Sequence, residues 1–466
     1  MLRPGANVLE VRFDSAYRYA EQVREQLGAR PNAYPEPFNF IRKMACNFGW
    51  DWGPTVVTAG IWQAIGIETW REARLDRVRP LVTVGTGTAE VGVVQLHARL
   101  DRRADQPLRL RAVVSGFGRE FQVEQEIEVE PAEGPGPAGE TVLELTVPAP
   151  RLWWPYGLGE PDRYLVDLTL LAPDGTELDS WQRRIGFRSV RLDTAADADG
   201  SAYTVVVNDI PVFVRGVNWI PDDALVTRVD RGRYATRMRQ ARDANCNYLR
   251  IWGGGRYESE DFYDLADELG LMVGQDFLFA CAAYPEEEPL RSEIVAEAEQ
   301  AIVRLAHHPS LLVWTGNNEN IWGFEDWGWK SELEGRSWGA GYYYDLLPQL
   351  MQELDPTRPY WPGSPYSGTA QLHPNDPAHG NMHVWEVWNN DDYATYRDYR
   401  PRFVGEFGFQ APPAYATLRR AISDHPLAPD SVGMLHHQKA EDGNGKLRRG
   451  LAPHLPCPRT STTGTT

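Results

Sequence analysis

Seven short apolar runs between 212 and 410 each finish in polar or aromatic residues: VFVRGVNWIP, CNYLRIWGGG, LMVGQDFLFA, LLVWTGNNEN, RPYWPGS, GNMHVWEVW and PRFVGEFGFQ. Segments of helical period, such as RYATRMRQARDA, EDFYDLADELG and EEEPLRSEIVAEAEQAIVRLAHH, lie between them. Near-continuous apolar strands that alternate with helices bury both sheet faces when the strands run parallel, which points to α/β architecture over this span. Strands that each deliver chemistry-bearing side chains at their ends fit a (β/α)8 barrel, whose reacting groups sit at the C-terminal strand ends. The pattern predicts a barrel over 191–432 that lacks its last strand and helix.

Upstream, RPLVTVGTG, VVQLHARL, LRLRAVV, TVLELTV and RYLVDLTLLA are broken by Gly, Pro and Asp turns, with PAEGPGPAGE as a surface turn. That spacing predicts an immunoglobulin-like β-sandwich over 73–190. Residues 1–72 read as strands and loops, NVLEVRF and IWQAIGIETW being the strands and a long polar stretch joining them. An opening strand with no partner before it leaves an unpaired edge, so this segment reads as part of a larger β-domain. Residues 433–466 carry little strand or helix signal and read as an irregular tail. The fold class is therefore multidomain β and α/β.

A formal charge of −18 argues against nucleic acid, because phosphate-binding surfaces need clustered positive charge. No apolar run approaches the ~18 residues of a membrane span, and MLRPGANVLEVRF lacks the layout of a signal peptide, which gives a cytoplasmic expectation. Cys46, Cys246, Cys281 and Cys457 show no CxxC spacing, which supports neither a disulfide framework nor a zinc site. The adjacent histidines at 307–308 and 436–437 are expected to point apart, so no metal is predicted. Seventeen tryptophans, many beside Gly, Asn or Asp, suit a cleft that holds a flat, hydroxyl-rimmed ligand such as a sugar ring.

Glu319 closes the fourth run and Glu406 the seventh. At the mouth of one barrel the two carboxylates can converge, and a facing pair is the minimal equipment for cleaving a glycosidic bond. One must stay protonated to expel the leaving oxygen while the other stays ionised to attack, so their environments must separate their proton affinities. Glu319 follows Asn317 and Asn318, whose amides suit sugar hydroxyls, and Arg250 ends the second run, where its cation can keep Glu406 ionised. Glu319 is thereby assigned as acid/base and Glu406 as nucleophile.

These residues carry a resemblance. NFGWDWGP (47–54), LWWPYGLGE (152–160), IGFR (185–188), RGVNWIP (215–221), LRIWGGGRYE (249–258), QDFLFACAAYP (275–285), WTGNNEN (314–320) and GEFGFQ (405–410) resemble the β-mannosidases of glycoside hydrolase family 2. The resemblance implies the rear half of a jelly-roll sugar-binding-type domain, then an immunoglobulin-like sandwich and a catalytic barrel. It implies exo hydrolysis of terminal β-mannose with retention and without a cofactor, the partner being a carbohydrate. Among substrate-binding residues it implies Trp50 and Asp51 on a loop over the barrel mouth and Trp252 and Asn318 in the same subsite. Trp327 would close that subsite from the loop after strand four, and His383 and Trp385 would line it from strand six; Arg250 is grouped with them.

A β-galactosidase or β-glucuronidase of the same family shares the Asn-Glu pair but usually lacks WDWG and LRIWGGG. A noncatalytic sugar-binding remnant would keep the aromatic cleft without turnover. A barrel missing one strand leaves two edges unpaired, so this polypeptide alone is expected to be unstable or inactive.

Overall fold

Two-residue alternation builds the first layer. In Val91–Arg102 every second side chain is buried, and the same rhythm runs through Tyr164–Leu171. The computed structural model describes residues 5–85, 91–103, 106–117, 121–129, 136–137 and 139–456. Cys457, the CPRTSTTGTT end and most of the PAEGPGPAGE turn lie outside the described residues. Ala73–Val84, Val91–Arg102 and Thr141–Pro148 form one antiparallel sheet, with the short Gly136–Pro137 at its side. Glu177–Ile185, Tyr164–Leu171, Leu108–Gly116 and Phe121–Val129 form a second in that order. Val94, Leu96, Leu110, Val114, Leu145, Val166 and Leu168 share one core. The sequence reading misses Phe121–Val129 and Glu177–Ile185, edge strands whose FQVEQEIEV and ELDSWQRRI are mostly polar because an unpaired edge is protected by charge.

Parallel strands follow. Gly216–Trp219, Tyr248–Ile251, Met272–Asp276, Leu311–Thr315 and Tyr360–Trp361 pair in that order in a five-stranded parallel sheet. Met382–Val384 and Val404–Phe407 pair in parallel beside it. Tyr248–Ile251, Met272–Asp276 and Leu311–Thr315 are buried at every position, as strands covered on both faces must be. Helices Arg231–Asp243, Glu260–Leu269 and Leu290–Leu305 stand between them in the chain. All seven expected strand ends thus fall on parallel strands. Between the seventh strand and the first, the described contact is a side-chain hydrogen bond, Asn218 Nδ2–H to the Gly405 carbonyl at 3.2 Å. On those two strands Val217 is 44% exposed and Phe407 63% exposed.

Two of the quoted motifs join the layers. Trp153 of LWWPYG is fully buried and its indole N–H donates to the Asp267 carbonyl at 3.0 Å. Arg188 of IGFR reaches under strand four, donating to the Pro309 carbonyl at 3.0 Å and the Leu311 carbonyl at 3.1 Å. Burial first, and the neighbouring Arg358 second, push its pKa down to about 9. Trp153→Phe keeps the ring's bulk but orphans a buried carbonyl. Its expected cost is about 1–3 kcal/mol in urea unfolding, with an unchanged denaturant slope.

The N-terminal segment differs from the expectation. Neither NVLEVRF nor IWQAIGIETW forms a described strand; Val8, Leu9, Ile65 and Ile67 are exposed instead. β-branched alternation makes a strand only where a neighbour supplies the ladder. The joining stretch contains a helix, Ala16–Leu27, capped by Ser15 Oγ on the Arg18 N–H and burying Ala20 and Val23. Ser15 and the apolar positions 16, 20, 23 and 27 were its signal. The last segment is not irregular throughout: Val432–His437 and Gly443–Leu451 are helices. The second docks on Glu386–Asn389, with Lys446 Nζ donating to Asn389 Oδ1 at 2.9 Å and Arg449 donating to the Trp388 carbonyl at 2.7 Å. Three glycines and four polar residues in GNGKLRRGL hide it from periodicity. No described helix is long and apolar enough to cross a membrane.

Candidate active site

Strand four ends in a backbone that only a tight scaffold tolerates. Glu319 has φ 63°, the left-handed region, and Cys281 beside it has φ 48°. Glu319 N–H donates to the Ser364 carbonyl at 2.8 Å, and Asn318 N–H to the Phe279 carbonyl at 2.9 Å. The Asn317 amide spans both sides of the turn: Nδ2–H donates to the Pro362 carbonyl at 2.9 Å, and Oδ1 accepts the Asn320 N–H at 3.0 Å. Asn320 Nδ2–H donates to the Tyr343 hydroxyl at 2.7 Å. Asn317, read from the sequence as a sugar-binding amide, is instead consumed in holding the turn that presents Glu319. Such strain at one residue, over-determined by its neighbours, is typical of functional positions.

The two carboxylates meet. One oxygen of Glu319, one of Glu406 and a His383 nitrogen all lie within 4.8 Å of one another. His383, fully buried, sits between them, its Nδ1 2.8 Å from Glu319 Oε1 and 3.4 Å from Glu406 Oε2. Acceptor carboxylates on that side place the proton on Nδ1, and the Ser364 hydroxyl, 2.7 Å from Nε2, serves the other nitrogen. Cys281 Sγ–H donates to Glu319 Oε2 at 3.2 Å. The Trp385 indole N–H donates to Glu406 Oε2 at 3.2 Å. Both glutamates are buried, Glu319 8% and Glu406 7% exposed.

Arg250 is committed wholly to protein. Its Nη1 donates to Glu406 Oε1 at 2.6 Å and Asn218 Oδ1 at 3.0 Å, its Nη2 to Asp276 Oδ2 at 2.7 Å and Asn318 Oδ1 at 2.9 Å, and its Nε to Asp276 Oδ1 at 3.3 Å. A guanidinium has five N–H donors, so none is left to contact a sugar; Arg250 belongs with the groups that set Glu406, not with those that bind substrate. Burial pushes the Glu406 carboxyl up, but His383 and Arg250, with hydrogen bonds from Arg250 and Trp385, outweigh it and hold it below the usual carboxylate range.

The WDWG segment folds over this cluster. Phe48–Trp50 and Gly53–Thr55 form a hairpin, anchored where the Cys46 N–H donates to the Gly254 carbonyl at 3.0 Å. Gly49 takes φ 98°, and a Cβ there would meet Thr55 Oγ1 at 2.5 Å, so the turn needs glycine. The Trp50 ring lies 4.8 Å from Trp252, and Trp52, partly exposed, lies 5.6 Å from the same ring. Burial first, then the charges of Glu319 and Glu406, push the Asp51 carboxyl up, so Asp51 shares the electrostatic environment of both glutamates.

Trp327 stands further off. It ends helix Asn320–Asp326, and its ring lies 5.7 Å from Trp322, which in turn lies 6.3 Å from His383. It lines, with Tyr34, Arg30 and Trp329, an adjoining cavity of about 540 Å³ rather than the carboxylate cluster itself. The structure thus brings Glu319, Glu406, Arg250, Asn318, His383 and Trp385 together, sets Trp50, Asp51 and Trp252 beside them, and leaves Trp327 one ring removed. Missed from the sequence are Asn218, Asp276, Cys281, Ser364 and Tyr34, whose ring packs 4.4 Å from Trp50. Asp276 closes strand three in the QDFLFACA run and was findable by the same strand-end rule; Tyr34 sits in a loop with no periodic signal.

Residues 1–63 match the glycosyl hydrolase 2 galactose-binding domain-like family, and residues 81–188 match glycosyl hydrolases family 2. The chain is 33% identical over 478 residues to β-mannosidase B of Thermothelomyces thermophilus, covering 98% of this chain and 54% of that protein. It is 32% identical over 484 residues to the β-mannosidase of Capra hircus, with the same 98% and 54% coverage. The crystal structure of a β-D-mannosidase from Dictyoglomus thermophilum superposes with TM-score 0.87 at 36% identity, over 94% of this chain and 53% of that one. A β-glucuronidase from Parabacteroides merdae, with TM-score 0.53 and 19% identity over 70% of this chain and 37% of that one, shares the fold alone. The chain spans about half the length of the curated relatives it matches. On these matches the chain carries two segments of glycosyl hydrolase family 2 type and is similar along nearly its whole length to β-mannosidases.

Proposed function

We propose that this chain carries the active site of a retaining exo-β-mannosidase. The observation that supports it is the pair of buried carboxylates whose nearest oxygens lie within 4.8 Å. Retaining glycosidases hold their carboxyl groups about 5–5.5 Å apart, inverting ones about 6.5–9.5 Å. Glu406, kept ionised by Arg250 and His383, attacks the anomeric carbon while Glu319 gives its proton to the departing oxygen. Glu319 then takes a proton from water, whose oxygen displaces Glu406 and releases the sugar with its configuration retained.

Substrate contacts follow from what stays free. Asn318 spends Oδ1 on Arg250 and offers Nδ2 only a weak partner in Cys281 Sγ at 3.4 Å, so its amide N–H is available to a sugar hydroxyl. Asp51 and the Trp50, Trp52 and Trp252 rings wall the pocket. The axial 2-OH of mannose obstructs attack on a chair, so the ring reacts from a distorted shape that these walls hold. We read the seven parallel strands as a (β/α)8 barrel open between the seventh and the first, supported by the exposed Val217 and Phe407 on those two strands. The domains proposed with it are a partial jelly roll over 1–72, an immunoglobulin-like sandwich over 73–190 and the barrel over 191–432.

Nitrophenyl β-mannoside, β-galactoside and β-glucuronide test the reading together. Hydrolysis of the mannoside is expected to dominate, with β-mannose as the first product by proton NMR; α-mannose first, or preference for another sugar, would overturn it. Asp51→Asn is expected to weaken binding of a mannose-configured transition-state analogue by on the order of 10-fold or more in calorimetry. That readout does not depend on turnover.

A further inference from the structure

Away from the carboxylate pair, at the opposite end of strand four, two histidines break the rule that adjacent side chains diverge. His307 and His308 lie in the turn between helix Leu290–Leu305 and strand Leu311–Thr315, neither in a helix nor in a strand. Their rings stack with centroids 3.8 Å apart at 38°, and the side chains are 4% and 0% exposed. Sequence periodicity could not anticipate this, since it holds only inside regular elements.

Both rings present one nitrogen to the same carboxylate. His307 Nε2 lies 3.6 Å and His308 Nε2 3.5 Å from Glu260 Oε2, and neither nitrogen has a hydrogen-bond partner among the described residues. The remaining groups fix the orientation. His308 Nδ1 lies 2.7 Å from Asp267 Oδ2, whose carboxylate is an acceptor, so Nδ1 carries a proton; burial lowers the ring's pKa but Asp267 and Glu260 outweigh it and raise it, so Nε2 offers its lone pair once its own proton is displaced. Asp267 is itself held by the Ser310 N–H at 3.0 Å. His307 hydrogen-bonds the backbone of Arg304, and burial pushes its pKa well down, which leaves its Nε2 with the lone pair. Arg304 Nη1 donates to Glu260 Oε1 at 2.7 Å, which turns Oε2 toward the imidazoles. Three atoms able to ligate thus face one another within 4.8 Å, the two nitrogens too far from the carboxylate oxygen for good hydrogen bonds, and buried polar atoms left this way are costly.

Those separations have a natural reading. Tetrahedral zinc with bonds of about 2.0–2.1 Å to nitrogen and oxygen places its ligand atoms roughly 3.3 Å apart. A carboxylate behind one ligating imidazole, the place Asp267 occupies, is the usual outer support of such a site. We propose that Glu260, His307 and His308 form a binding site for a divalent transition ion of the zinc class. Water fills the remaining position, and entry is past Glu260, whose side chain is 39% exposed. The ion ties helix Glu260–Leu269 to the turn that feeds strand four, so its effect is on stability rather than on the chemistry at the strand's other end.

The chain stripped with a chelator and titrated with Zn²⁺ tests this. One ion per chain by mass spectrometric metal analysis, a melting temperature raised by several degrees, and visible d–d bands of tetrahedral intensity on Co²⁺ substitution are expected. His307→Asn and, should that variant not fold, the half-exposed Glu260→Gln are each expected to weaken binding at least 100-fold, while His454→Asn leaves it unchanged. Substoichiometric binding, binding that survives both variants, or binding lost instead in His383→Asn would overturn the proposal. So would a melting temperature that responds to pH and not to Zn²⁺, the mark of a proton shared among the three groups.

Discussion

Glu406→Ala is expected to lower β-mannoside turnover by on the order of 10⁴- to 10⁶-fold, the scale seen when a member of a concerted catalytic set is removed. The loss should occur in a folded protein, because Arg250 keeps both its bonds to Asp276 and is not left unpaired. Added azide distinguishes the two glutamates. In Glu406→Ala it occupies the vacated side of the sugar and gives the α-mannosyl azide, whereas in Glu319→Ala it attacks the glycosyl ester and gives the β-mannosyl azide. The opposite pairing of variants and products would reverse the assignment. The pH profile carries the same information. Since Glu406 is held below its ordinary value of 4.5, the acid limb of kcat/KM is expected below that pH.

Arg250→Met should be the most destabilising single change near the site. It strands two buried carboxylates, Asp276 at 0% and Glu406 at 7% exposure, with no other arginine bonded to them among the described residues. Breaking a buried pair by removing one partner costs about 3–5 kcal/mol, a large part of the roughly 5–15 kcal/mol that holds a domain together. Adding Asp276→Asn to the variant should recover stability in urea unfolding, since the amide needs no counter-ion; failure to recover would mean that packing, not charge, sets the cost. The sign with pH is defined. Glu406 binds its proton less tightly folded than unfolded, so its pairing stabilises the fold above the unfolded value and that contribution is lost as pH falls through the folded one. In Arg250→Met that acid-side dependence should diminish.

Much of the fold was legible because its signals are local. Period-two alternation marks the sandwich strands, and strand ends at Glu319 and Glu406 mark the carboxylate pair without any knowledge of what folds between them. Arg250 was correctly tied to Glu406, yet grouping it with the sugar contacts ignored a capacity only coordinates reveal: Asp276 and Asn218 had already used its donors. NVLEVRF satisfies the strand pattern but not the requirement for a neighbour, which is a property of tertiary structure. Trp327 follows Glu319 closely in sequence, but helix Asn320–Asp326 carries it past the carboxylates to the next cavity. The histidine pair was judged by a rule for regular elements although it stands in a turn.

The left-handed backbone at Glu319 sets a limit on improving this protein. Holding a non-glycine residue there costs about 1–3 kcal/mol, met by the mesh of asparagines and carbonyls around it. Glycine at that position would relax the chain and remove the proposed proton donor in one change. Selection for heat resistance alone would therefore pull this locus toward an inert protein, and thermostable descendants that remain active must draw their gains from elsewhere in the molecule.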